Sequence, residues 1–578
     1  MFSRYYQSEL TYLRELGREF AETNPSLAGS FADREGDPDV ERLLEGFAFL
    51  SARIRERTED AIPEIIDALG ELVIPQLIRP IPACSIVQFS PNSSAIRGHY
   101  RVDEGIELAT RAIHGSQCVF RTAAALDLLP LRVERCSMDP SVESQPKIRL
   151  RLRKEGEIRW PEDGTLRLFL DGPLGLASTV LLWFAEHLAS VELHSGSTTH
   201  RLPTKVSLPA LGPEIKLLPW PENVPDGLRV AQEYFTLPQK LLFLDVEGLG
   251  AVPAEAIGDS FDLVFQFSSP PKLPERLTED LFHLHCVPVV NVFEVDGNPV
   301  INDTSTDEHM LRASNWDPNH IEVYSVKSVS GSKRGESRSR RYDPFFAFSH
   351  PKDAPQEQRY YKVRRAISPL DQATDTYLSI LGPADVVPDL VQEVLSFELS
   401  CTNRDLPTEL RPGDICKPTS SSPTVATFRN IHPVTRPTRP PTGQERHWRL
   451  ISHLGINTRA LADASALQSL LAHYNGHEET DQQLYDANRL RIHAIRAVTA
   501  SHERRVIHRI PMFGLGTEVE LDETAFAGEG DAYLFGSALQ RLLVSETPIN
   551  SFHRLTITLH PSKKTFSWKP ETGTQSLL

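Results

Sequence analysis

The chain has 578 residues, with 61 Lys and Arg against 77 Asp and Glu and a formal charge of −16. It is too long for one small module and too acidic to wrap a bare polyphosphate, which is bound through basic side chains. A content of 40% hydrophobic and 24% charged residues excludes wholesale disorder, and 44 prolines predict short elements joined by many loops.

In chain order, Tyr6, Leu10, Leu13 and Phe20 fall on one face at helical spacing, with Arg14, Glu15, Arg18 and Glu19 beside them. A second helix is expected from Asp37, an N-cap residue followed by Pro38, through Val40, Leu43, Leu44, Phe47, Leu50 and Ile54. A third, introduced by Pro63, carries Ile65, Ile66, Leu69, Leu72 and Val73 and must stop near Pro75. Residues 1–80 therefore read as an N-terminal helical unit.

From Pro80 the period changes to two. Runs at 85–89, 148–152 and 166–170, and again at 241–246, 261–267, 288–293 and 321–326, read as half-buried antiparallel strands between Pro and Gly breakers. The fold class expected is α+β: the helical unit, then several β-rich, sandwich-like domains with short helices and long loops, bordered at 81–240, 241–400 and 401–578. Two stretches read as loops or arms: the basic segment Lys327 to Arg341, and Lys417 to Thr442 with its prolines. The last domain is expected to hold helical or mixed structure around Trp448, Ile451 and Leu454 and again from Leu467 to Tyr474. A strand at 519–521, a helix at 533–544 and an alternating strand through Leu555, Ile557 and Leu559 follow.

The apolar stretch Leu174 to Ala185 falls short of the ~20 residues that span a bilayer, and the first ten residues lack the apolar region of a secretion signal. Six dispersed cysteines without a CxxC pair fit a reducing compartment. No phosphate-binding loop, dinucleotide turn or esterase elbow occurs. His502 and His508 flank a near miss for a metalloprotease helix, but six residues apart they do not share a helical face. His283, His285 and Cys286 are the densest metal-capable group and lack a fourth ligand nearby, so no metal or cofactor is expected. Asp245 and Glu247 keep open a β-rich carbohydrate-active enzyme, and the basic segment keeps open an adaptor for an anionic surface.

Several strings are similar to one family over nearly the whole chain. They run from Tyr5-Tyr6-Gln7-Ser8-Glu9-Leu10-Thr11-Tyr12-Leu13-Arg14 through Asp37 to Leu50 and Arg79-Pro80-Ile81-Pro82. Glu233-Tyr234-Phe235, Cys286 to Phe293 and Cys401-Thr402-Asn403-Arg404-Asp405-Leu406-Pro407 follow, then Trp448 to Leu454, Gly516 to Val519, Phe526 to Gly528 and Asn550 to Phe552. In that order they resemble the TssF (ImpG, VasA) baseplate subunits of type VI secretion systems. The basic segment and the residues after Ser562 do not follow the pattern.

The resemblance implies a non-catalytic, cytoplasmic structural subunit of a contractile machine. It would pair with a second copy and with TssG, TssK and TssE around the spike hub (VgrG). It would seed sheath and tube assembly and dock through the inner-membrane complex, with no nucleic acid or small-molecule substrate. The expected partner-binding residues are Tyr6, Leu10, Leu13, Phe20, Leu43, Phe47 and Ile54, the last three being also the nearest internal candidates to cover part of that stripe. A helix of ~20 residues is marginal alone and must bury such a face.

Overall fold

The computed structural model describes residues 6, 10, 13, 42–51, 70, 75–139, 145–203, 205–221, 224–253, 256–273, 276–302, 308–333, 339–345, 360–367, 374–381, 393–440, 443–454, 463–507 and 509–574. Two compact units emerge, Met1–Ile78 with Pro441–Ile451, and Arg79–Pro440 with Ser452–Leu578. The helices are α1 (42–51), α2 (Leu174–Glu186), α3 (Asp226–Thr236), α4 (Gly443–Leu454), α5 (Ala464–Ala472), α6 (Gln482–His493) and α7 (Glu529–Ser545).

In the first unit, Tyr6, Leu10 and Leu13 are helical and half-buried, and Pro75–Leu77 forms a single 3-10 turn; of the third expected helix only Gly70, which is helical, lies among the described residues. Leu77 and Ile78 pack with Leu450 of α4 into a small core. A segment more than 360 residues downstream thus completes the N-terminal unit.

In the second unit the period-two runs are strands, most cleanly Lys147–Lys154, Leu166–Leu170 and Ser260–Phe267. The run at 241–246 starts late, because Pro238–Leu241 is a 3-10 turn, and the run at 288–293 breaks at Asn291 between strands Cys286–Val290 and Phe293–Asp296. A six-stranded antiparallel sheet takes the order 415–418, 107–110, 119–122, 286–290, 84–91, 426–430. A five-stranded sheet orders 198–202, 188–195, 260–267, 147–154, 131–139, and a four-stranded one orders 206–207, 243–246, 166–170, 282–284. One continuous core fills the space among them and reaches α2, α3 and α7, with Leu168, Phe243, Leu263 and Leu542 all fully buried. A further sheet built around Glu393–Thr402 and Glu322–Lys333 has its own core of Phe293, Val329, Tyr342, Leu395, Phe397 and Leu399.

The sequential borders expected at 240 and 400 run through these sheets. Strand Cys84–Pro91 pairs with Cys286–Val290 on one side and Ala426–Asn430 on the other. Each doubling of loop length costs only about 0.6 kcal/mol, so strands far apart in the chain remain available as neighbours.

Two expected loops are built into sheets. The basic segment is mostly a hairpin: Glu322–Lys333 pairs with Arg340–Pro344 through Val329 and Tyr342, Ser330 and Arg341, and Gly331 and Arg340. Val329 and Tyr342 are buried, so two apolar side chains anchor a stretch whose composition is otherwise that of a loop. In the proline-rich stretch, Ile415–Pro418 pairs with Glu107–Thr110, Thr435 N–H donates to the Cys84 carbonyl at 2.8 Å, and Thr438 N–H to Ile81 at 3.0 Å. Pro418 closes a strand at the sheet edge, where a missing N–H costs nothing.

The apolar stretch at 174–185 is α2, and among the described residues no helix is long and apolar enough to cross a membrane. Helices α2 and α3 each meet α7 at a glycine. A Cβ on Gly530 would strike the backbone of Ser178 and Thr179, and one on Gly227 the Arg541 carbonyl.

Candidate interaction surface

The residues with chemical potential are absorbed into the fold. His283 and His285 do not share a face: His285 has φ 59°, which breaks strand alternation, and it turns inward so that its Nε2 accepts from Leu129 N–H at 3.2 Å. Burial lowers His285 to about 4 and leaves it neutral with its Nε2 already taken by Leu129, and it pushes the Cys286 thiol far up, away from the thiolate that metal binding or nucleophilic attack needs. His283 instead meets Gln88 at 3.1 Å and Asp171 at 3.5 Å. Among the described residues no cluster of three His, Cys, Asp or Glu is arranged to hold a metal ion. Asp245 is clamped by Arg167 through two contacts of 2.8 Å, while Glu247 pairs with Lys205 at 2.6 Å. Each carboxylate faces its own cation, unlike an acid and nucleophile flanking a common substrate. His502 lies on strand Ile495–Ile507, and His508 lies outside the described residues.

Two of the resemblance strings prove to be polar keys inside the apolar body. Helix α3 forms behind Pro225 and carries Arg229 and Glu233 one turn apart, both fully buried. Arg229 Nη1 donates to Glu233 at 2.7 Å, its other nitrogens grip Asp226 at 2.7 and 2.8 Å, and Lys240 Nζ stands 2.6 Å from Glu233. Burial lowers the Lys240 ammonium to about 8 even though Glu233 opposes the shift. Asn403, fully buried, accepts from Val119 N–H at 3.0 Å and from Asn291 Nδ2 at 2.8 Å. Its backbone N–H returns a bond to Asn291 Oδ1 at 2.8 Å.

What remains outside is apolar surface on the first unit. On α1, Leu43 (73% exposed), Phe47 (58%) and Leu50 (61%) share one face at i, i+4 and i+7, while the small Ala48 is fully buried on another. Leu43 and Phe47 are thus not the internal cover expected of them: the helix is packed through its small face and presents its bulky stripe to solvent. Tyr6, Leu10 and Leu13 are half-buried, and Phe20 and Ile54 lie outside the described residues. Helix α4 adds Trp448 (67% exposed) and Ile451 (46%), an i, i+3 pair, while Leu450 between them is buried. Trp448, Ile451 and Leu50 are absent from the expected binding set, although each falls at helical spacing in the sequence. Exposed bulky side chains of this number are the mark of an interaction surface.

Residues 1–575 match the family described as "Type VI secretion system, TssF". Type VI secretion system component TssF1 of Pseudomonas aeruginosa PAO1 is 30% identical over 638 aligned positions, covering 99% of this chain and 98% of its own length. Among solved structures, a chain of the type VI secretion TssK-TssF-TssG baseplate subcomplex, determined by cryo-electron microscopy, superposes with a TM-score of 0.80 at 30% identity. That match covers 93% of this chain and 99% of the other. A chain of a baseplate complex from the type VI secretion system superposes with a TM-score of 0.62 at 25% identity over the full length of both.

Proposed function

On the premise that this chain belongs to the TssF family of type VI secretion systems, we propose that it works as a non-catalytic structural subunit of the baseplate wedge. The observation that carries this is the end-to-end likeness to a chain solved within a TssK-TssF-TssG subcomplex. In this reading the chain assembles with TssG and TssK, pairs with a second copy, and meets TssE, the spike hub (VgrG) and the sheath. It acts in the cytoplasm, where the baseplate docks through the inner-membrane complex. The chain's own chemistry agrees with a scaffold: its candidate carboxylates and histidines are held by structural partners, and bulky apolar side chains on α1 and α4 stand in solvent.

The first unit supplies the TssG-binding surface, with Leu43 and Phe47, beside Leu50, Trp448 and Ile451, as its apolar anchors. The test is the double variant Leu43→Asp, Phe47→Asp in the full chain. Both side chains are mostly exposed, so the free protein should express and melt as wild type does. Unpaired charges buried in an interface cost roughly 2–5 kcal/mol each, so co-purification with TssG should fall by at least about a hundredfold in affinity. Wild-type recovery of the complex would place the interface elsewhere on the chain.

A further inference from the structure

Strands Ile495–Ile507 and Ile510–Asp522 form a hairpin with 13 residues in each arm. The second arm continues the sheet through parallel pairing with Phe552–His560, but the first is an end strand, and among the described residues no strand pairs with its outer edge. Helix α5 reaches the base of that strand, where Gln468 Nε2 donates to the Ile495 carbonyl at 2.8 Å. The register shift in the arm also lies at the base, between Ile495 and Ala497, so the edge beyond is regular and carries no proline. From Thr499 to Val506 every side chain except half-buried Glu503 is exposed. Such a row of open amides and carbonyls is a template for one more strand.

The face that sends Val519 and Thr517 into the core runs on past it. Phe513 is 70% exposed and pairs across the hairpin with Arg504, and Val506, 72% exposed, pairs with Pro511 on that same face. The charge there is opposite to that of the protein. Arg504, Arg505 and Arg509 crowd the tip, and the nearest carboxylate, Glu503, already serves Arg554 and Arg505. The Arg504 guanidinium lies 5.6 Å from the centre of the Phe513 ring. A basic, apolar end on a chain of net charge −16 selects an acidic occupant. An anionic lipid surface would satisfy the arginines and leave the strand edge unpaired. A second copy pairing edge to edge would bring another strand with the same arginines and with its one carboxylate, Glu503, already engaged.

We propose that the edge Thr499–Val506 accepts an extended, acidic segment of another subunit as an added β-strand, its apolar side chains covering Val506 and Phe513. This rests on the baseplate reading above, and the test keeps the two apart. Amide hydrogen exchange is measured on the full chain alone and on the complex co-purified with TssG and TssK, beside the double variant Arg504→Glu, Arg505→Glu and the single variant Phe513→Ser. The amides of 499–506 that point away from the hairpin should exchange freely in the lone chain and slow by at least about tenfold in the complex. Charge reversal should weaken assembly by at least about tenfold and flatten its salt dependence, with melting of the free chain unchanged. Phe513→Ser should weaken assembly without altering the salt dependence. A complex that forms without slowing at 499–506, or that tolerates the charge reversal, overturns the strand-addition site and leaves the baseplate reading standing. Slowing in a lone chain that sizes as a dimer, or on vesicles containing phosphatidylglycerol, assigns the edge to a second copy or to lipid and overturns it as well. Failure to form any complex removes the baseplate reading and this one with it.

Discussion

Changing Glu233 to Gln keeps the size of the side chain and removes one charge from the centre of a dry ionic cluster. Arg229, Glu233 and Lys240 are fully buried, and with Asp226 the cluster holds two positive and two negative charges. The substitution leaves the two cations facing one carboxylate, and removing one partner of a buried pair costs about 3–5 kcal/mol. The loss should be felt in one place. The strap from Pro209 to Leu218 is tied to the cluster at Lys240 Nζ to Ala210 O (2.5 Å), at Arg229 to Gly212 O (3.0 Å) and Ile215 O (3.1 Å), and at Leu218 N–H to Glu233 (3.0 Å).

Urea unfolding should therefore shift to lower denaturant, and amide exchange across 210–218 should accelerate before the rest of the second unit responds. The pH dependence is diagnostic. Lys240 is lowered to about 8 in the folded chain, below its unfolded value near 10.4, so stability rises as pH climbs between those two values and the buried ammonium loses its proton. Without Glu233 that proton leaves at a lower pH still, so the deficit of the variant should shrink as pH rises towards 8 and level off above it. Arg229 stays charged and sets the residual deficit. A variant within about 1 kcal/mol of wild type, or a deficit that widens with pH, would refute the account of the cluster.

Three further outcomes are expected. Burial lowers His285, His477 and His553 each to about 4, below an unfolded value of roughly 6.5; the stability they supply is complete above 6.5 and lost as pH falls toward 4, which thermal melts across that window will read. Gly530→Ala drives a methyl into the α2 backbone at Ser178 and Thr179 and should cost about 1–3 kcal/mol in a denaturant titration. Replacing Lys327–Arg341 by a Gly and Ser linker removes buried Val329 and the half of strand Glu322–Lys333 that pairs with Glu393–Glu398, so soluble expression should collapse, which a free loop would not cause.

What could be read from the chain alone follows from where the signal resides. Lys147–Lys154 announces itself because each alternate residue is buried, and α1 because its apolar residues recur at helical spacing. Period does not reveal which side of an element is covered. The stripe Leu43, Phe47 and Leu50 looks like a core face in sequence, yet the buried position is Ala48. Pairing partners are more remote still: nothing local to Cys84–Pro91 points to Ala426–Asn430. The basic hairpin is not legible in the sequence because serine and arginine composition outweighs two inward apolar residues.

The strings that carried the family resemblance and the surface that carries the proposed assembly are therefore different parts of the molecule. Glu233 and the Asn291–Asn403 pair are joints. The first ties the strap to α3, and the second locks the place where strand Cys286–Val290 of one sheet gives way to Phe293–Asp296 of another. Each joint is polar within an apolar surround, so it fixes geometry that hydrophobic burial alone leaves slack, and an unpaired member is costly. Surface anchors obey the reverse condition. Leu43, Phe47, Trp448 and Phe513 gain little from the lone chain, and in the proposed assembly their apolar area would leave water when another chain covers it. A subunit built to be held on several sides needs both: rigid joints that keep the sheets of its body in register, and bulky side chains left over after its own cores are full.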